Sequence, residues 1–139
     1  MIILDTNVLS ALMRTNPDAT VVRWVDGQPA DSLWVTSVTV FEVRFGLAVL
    51  PRRRNWIGLE AAFERVLEED LENRVLDFDR AAAAAAARLA ADRKAAGRSA
   101  DLRDTLMAGI ALARRATIAT RHTRHFEGLD VSVVDPWTA

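Results

Sequence analysis

The chain of 139 residues contains no cysteine, which excludes disulfides, thiolate metal ligands and a thiol nucleophile. Any metal chemistry must therefore come from Asp, Glu or the two histidines. No apolar run approaches the roughly 18 residues that a membrane span requires, so no membrane partner is expected. No basic segment precedes the first apolar residues, so no signal peptide is read there, and a cytoplasmic protein is the expectation. A dominant charge is also missing: 18 Lys and Arg stand against 19 Asp and Glu, a formal net charge of −1. This disfavours a protein that coats nucleic acid through bulk charge. Local basic patches do occur, at Arg52-Arg53-Arg54, at Arg114-Arg115 and at Arg121 with Arg124. There is no internal repeat and no linker-like stretch, and the length suits one domain over residues 1–139.

What is present is an alternation of short apolar strands and helical patterns. Met1 to Leu4 forms a strand that stops on Asp5, and Val8 to Met13 a helical turn ended by Asn16-Pro17-Asp18. Ala19 to Asp26 is a second helix and Leu33 to Thr36 a second strand, after which Ser37 caps a helix from Val38 to Leu50. Trp56 to Asp70 is amphipathic, with Leu59, Phe63, Val66 and Leu67 at helical spacing. Arg74 to Phe78 reads as a strand. Asp79 caps an alanine-rich helix running to about Ala96, whose small side chains allow another helix to approach closely. Asp101 to Arg115 is a helix with Leu102, Leu106, Met107, Ile110 and Leu112 on its apolar face. Thr117 to Thr120 and Val131 to Val134 close the series as strands around a loop from Arg121 to Gly128. Such alternation implies an α/β fold, a central parallel sheet flanked by helices on both faces.

Ligands of open parallel sheets bind at the carboxyl ends of the strands, where Asp5 stands. Glu42 follows the second strand by about a turn, among Val38, Phe45, Gly46 and Val49, which supply much of the expected inward face. A carboxylate on such a face requires a partner or a cation; otherwise it leans outward to a surface arginine. Asp104 sits one turn into its helix, where an acid also serves the helix dipole, and Asp101-x-x-Asp104 reads equally as a capping arrangement. Asp77 and Asp79 are explained by strand-end and cap roles. Taken together, Asp5, Glu42 and Asp104 can converge at one sheet end. Three crowded carboxylates repel one another unless a divalent cation neutralises them. All-oxygen ligation selects Mg²⁺ or Mn²⁺, ions that activate water for phosphodiester hydrolysis.

These residues resemble those of a PIN-domain ribonuclease, specifically the VapC/FitB-like toxins of type II toxin–antitoxin systems. The resemblance rests on Ile3-Leu4-Asp5-Thr6-Asn7 and on Ser37-Val38-Thr39-Val40-Phe41-Glu42-Val43-Arg44-Phe45-Gly46. It continues through Asp104-Thr105-Leu106-Met107-Ala108-Gly109-Ile110-Ala111 and Ala119-Thr120-Arg121-His122-Thr123-Arg124-His125-Phe126. It implies a PIN-like fold and a homodimer that cleaves RNA and is silenced by a cognate antitoxin protein. It implies Asp5, Glu42 and Asp104 as catalytic and metal-binding residues, with Mg²⁺ as cofactor and Mn²⁺ as a substitute. A fourth family position, often Asp or Asn, is His122 here, which leaves a second metal in question. Asp101, His122, Thr6 and Asn7 are accessory candidates, and Arg44, Arg121 and Arg124 are candidate RNA contacts. An acidic pocket also accepts an arginine of an inhibitor, and Trp24, Val25, Phe41 and Phe45 could line a groove for an antitoxin segment. Core packing is a stronger expectation for Phe41 than for Trp24.

Three further readings compete. Metal-independent cleavage by His122 and His125 as acid and base leaves Asp5 and Glu42 without a role. A catalytically weakened PIN fold could act only as antitoxin binder and co-repressor. A phosphatase with an aspartyl nucleophile wants an acid two residues after Asp5, where Asn7 stands.

Overall fold

The computed structural model describes residues 1–51 and 56–139, so the Arg52-Arg53-Arg54 patch lies outside the described residues. Five parallel strands, β1 (Ile2–Leu4), β2 (Leu33–Thr36), β3 (Val75–Leu76), β4 (Thr117–Ala119) and β5 (Val133–Val134), lie in the order β3-β2-β1-β4-β5. The strand order reverses between β1 and β4, the kind of position where open α/β sheets form a crevice. The helices are α1 (Thr6–Met13), α2 (Ala19–Asp26), α3 (Ser37–Val49), α4 (Trp56–Arg65), α5 (Arg80–Ala95) and α6 (Leu102–Arg114), with a π-helical turn, Val66–Asp70, continuing α4. Among the described residues, no helix is long and apolar enough to cross a membrane.

Side chains alternate across a strand, and β1 is apolar on both faces. Leu4 joins one core with Val8, Leu9, Val21, Val35 and Phe63, whereas Ile3 joins the other with Val38, Met107, Ile110 and Ile118. A sheet covered by helices on both faces accounts for the unbroken apolar run. The second core depends on very close packing of α5 on α6. A β-carbon on Gly109 would lie 2.6 Å from the Ala82 carbonyl oxygen and 2.6 Å from the Ala86 β-carbon. The alanine run and Gly109 are thus two halves of one contact, which fixes the helix that carries Asp104.

Several expectations about elements need correction. The cap of α3 is Thr36, whose hydroxyl accepts the Thr39 amide at 3.2 Å; Ser37 instead accepts the Phe78 amide at 3.0 Å. The strands at Arg74–Phe78 and Val131–Val134 shrink to two residues each. Arg74 is drawn off as a clamp, its guanidinium donating to the Leu33 and Ala30 carbonyls. Leu102 is 70% exposed because it opens α6, two turns before the Gly109 contact. In α3, Val38, Thr39 and Leu47 are buried, whereas Phe45 and Val49 face solvent. Phe41 is 58% exposed and stacks on Phe45 with centroids 5.8 Å apart. Trp24, by contrast, packs against the first core, reversing the expected roles of the two aromatics.

Candidate active site at the ends of β1 and β4

Asp5 follows β1 directly, caps α1 and is buried. One carboxylate oxygen, Oδ1, accepts the Thr6 amide at 2.7 Å. The other accepts the Thr120 hydroxyl at 2.8 Å and the Asn7 side-chain amide at 3.1 Å. Asn7 also donates to Thr120 Oγ1 and accepts the Arg121 amide, while the His122 amide donates to Thr120 Oγ1. Thr120 follows β4, so this network ties together the two strand ends at the reversal of strand order. Burial of a carboxylate is tolerable only with such partners. Thr120 was not singled out from the sequence, although its place after the Thr-Ile-Ala strand was available as a signal.

Glu42 comes from α3 and Asp104 from the first turn of α6. With Asp5 they line one open pocket, whose wall also includes Asp101, Arg103, His122 and His125. Burial raises the pKa of Glu42 most; Arg103 opposes this, and the charges of Asp5, Asp104 and Asp101 reinforce it. Burial also raises Asp104 most, followed by the charge of Asp5, with His125 pulling it down and Asp101 pushing it up. The charge of Asp5 therefore reaches both Glu42 and Asp104 across the pocket. Glu42 lines the pocket and also meets a surface arginine, as the alternative reading expected: its carboxylate lies 4.0 Å from Nη1 of the exposed Arg103, within the same wall. Among the described residues, no three Asp, Glu or His side chains stand close enough to enclose an ion by themselves.

Asp101 caps α6, its Oδ1 accepting the amides of Arg103 and Asp104 at 2.8 and 3.3 Å. His122 and His125 stack with ring centroids 5.1 Å apart. His125 Nδ1 meets Asp104 Oδ2 at 2.8 Å, a contact that the sequence reading missed. The 3₁₀ turn Thr123–Phe126 puts i and i+3 on one side, which accounts for the stacking of the two histidines but not for the reach to Asp104. The candidate RNA-contacting arginines separate. Arg44 pairs with Glu64 and lies 5.1 Å above the Phe63 ring, and Arg121 stacks 4.9 Å from the Trp137 ring. Arg124 lines a cavity beside Asp104. Of the other basic patch, Arg114 pairs with Asp79 at 2.9 Å and Arg115 ends α6 in the left-handed conformation.

A buried acid after β1, with two more acids on helices facing it at a strand-order reversal, defines an acidic-pocket α/β protein. Residues 2–131 match the PIN domain model. The chain is 40% identical to the plasmid stability protein StbB of Pseudomonas syringae pv. tomato over the full length of both. It is 36% identical to the VapC ribonuclease Y4jK of Sinorhizobium fredii, covering 99% of this chain and 98% of that one. The FitAcB crystal structure from Neisseria gonorrhoeae superposes with a TM-score of 0.84 at 33% identity over all of both chains; other structural neighbours include VapBC toxin–antitoxin complexes. The chain belongs to the PIN-domain family, among the VapC/FitB-like members.

Proposed function

We propose that this PIN-domain chain is a metal-dependent endoribonuclease toxin, inhibited by a cognate antitoxin and acting as a homodimer. The observation that carries this reading is the convergence of Asp5, Glu42 and Asp104 on one pocket, together with the relative named as a VapC ribonuclease. The donor set fits Mg²⁺ or Mn²⁺: it is all oxygen, it is open, and the charge of Asp5 raises the pKa of both Glu42 and Asp104. Ions of this kind take few protein ligands and keep several waters, which suits acids that face a pocket without enclosing it. When bound, the ion would supply an activated water and neutralise phosphate charge.

The chain's own residues supply the placement. Thr120, Asn7 and the Thr6 amide hold Asp5 in a single orientation, and the cap of α6 aims Asp104 into the same space. Arg103 lies beside the Glu42 carboxylate and His125 contacts that of Asp104, so a cation entering the pocket competes with both. Arg124, which follows β4 and lines the cavity beside Asp104, is placed to meet an RNA backbone leaving the acids, whereas Arg121 stacks on Trp137. Hydrolysis by water needs no 2′-hydroxyl, so the expected products carry a 5′-phosphate and a 3′-hydroxyl. The exposed Phe41–Phe45 stack on α3 offers an apolar seat for an antitoxin segment.

Cleavage of end-labelled RNA with Mg²⁺, with Mn²⁺ and with excess chelator tests the reading. Activity should vanish in chelator and in Glu42→Gln; full activity in chelator would sink it. A second reading, a weakened enzyme that only binds antitoxin, is favoured by His122 in place of an acid and by the His125–Asp104 contact. Expression without antitoxin discriminates: growth arrest by the native chain but not by Glu42→Gln requires catalysis.

A further inference from the structure

The acidic pocket does not end at Asp104. Asp104 and His125 also form part of a second cavity, whose remaining lining is Arg93, Arg98, Ser99, Ala100, Arg124 and the α6 cap Asp101, whose Oδ1 already accepts two backbone amides. The carboxylate of Asp104 is engaged there by His125 at 2.8 Å. Among the described residues, none of the three arginines forms an ion pair with a carboxylate. Arg93 donates through Nη2 to the His125 carbonyl at 3.0 Å. Its Nη1 is buried with no hydrogen-bond partner, the one buried side-chain polar atom in that state among the described residues. Leaving such a donor unsatisfied costs stability, and more for a charged group. Native structures seldom retain one without a reason.

Three unpaired guanidiniums beside a serine hydroxyl form a donor-rich concavity, and the planar fork of arginine matches phosphate oxygens. The cavity shares a wall with the acids, so one extended strand can occupy both. We infer that Arg93, Arg98 and Arg124 form a phosphate subsite, which holds the phosphodiester of an RNA strand neighbouring the one at Asp5, Glu42 and Asp104. This inference rests on the ribonuclease reading. The subsite carries no base selectivity of its own: phosphate contacts set the register of a strand, while base contacts specify sequence.

The test is binding of a short, labelled single-stranded RNA to the full chain across a salt series, with Mg²⁺ and with Glu42→Gln present throughout to prevent cleavage. Arg98→Gln combined with Arg124→Gln removes two exposed side chains, and Arg93→Gln is measured separately because Arg93 also supports the His125 carbonyl. Arg23→Gln, on α2, is the control. The expected result is weaker binding in the pocket variants, with the log–log salt slope smaller by about 0.7 for each phosphate contact removed, and no change in the control. Unchanged affinity and slope in the double variant would overturn the subsite and leave the nuclease reading intact. Unchanged RNA binding with lost antitoxin binding would assign the cavity to an acidic peptide and also overturn it. Absence of RNA binding by every protein, the control included, would overturn both.

Discussion

Gly46 and Gly109 both lie inside helices, and the same substitution at each should move stability in opposite directions. Replacing a helical glycine with alanine stabilises by about 0.5–1 kcal/mol when the new methyl group has room. At Gly46, in α3, an added β-carbon meets nothing within 4 Å, so the full gain is expected. At Gly109, in α6, it lands 2.6 Å from the Ala82 carbonyl oxygen and 2.9 Å from the Ala86 amide nitrogen. Those are backbone atoms of α5, which cannot swing aside, so the helices must separate by roughly the missing ångström of van der Waals contact. Overpacking of this kind costs about 1–3 kcal/mol, leaving a net loss of up to about 2.5 kcal/mol after the propensity gain. With an unfolding entropy of about 2.1 cal/mol/K per residue over 139 residues, each kcal/mol shifts Tm by about 3 °C. Thermal melts followed by circular dichroism should show Gly46→Ala about 2–3 °C above the parent and Gly109→Ala below it by up to about 8 °C. Asp104 is one turn and a residue upstream of Gly109, so Gly109→Ala should also slow RNA cleavage at temperatures where it is folded. Equal Tm values for the two variants would refute the close α5–α6 contact.

Glu42→Gln should abolish cleavage and at the same time stabilise the fold at neutral pH. Burial and the charges of Asp5 and Asp104 outweigh Arg103 and raise the Glu42 pKa above its ordinary 4.5. The folded protein therefore holds this proton more tightly than the unfolded chain, and stability declines as pH rises from 4.5 through the folded value. Urea midpoints should favour the variant at pH 7, with the gap closing as pH falls towards 4.5; a gap that stays constant would contradict the assignment. Thr120→Val should destabilise by about 1.5–3 kcal/mol, the range for a hydrogen bond to a charged group, because Asp5 loses its 2.8 Å partner. Thr120→Ser keeps the hydroxyl and should restore most of that stability in the same denaturation assay.

The sequence by itself determined the alternation of strands and helices, because apolar period and cap chemistry act over a few residues. It marked Asp5 and Glu42 as acids in positions that folding alone explains poorly and Asp104 as an acid that a helix cap also explains, and their places at one sheet end, with the resemblance, joined the three. It also contained both halves of the α5–α6 contact, Ala82 and Ala86 against Gly109, without saying that they meet. Only the tertiary structure decided which neighbours each acid acquires. His125 reaches Asp104, Arg103 reaches Glu42, and Thr120 reaches Asp5 across 115 positions, separations at which no local pattern acts. The same holds for Phe41 and Trp24. Helical spacing identifies a face but not what covers it, and burial is set by the sheet and helices packed against that face. The strand order placed the end of β1 beside the end of β4, and that adjacency turns an acid at the end of a short apolar strand into one wall of a shared acidic pocket.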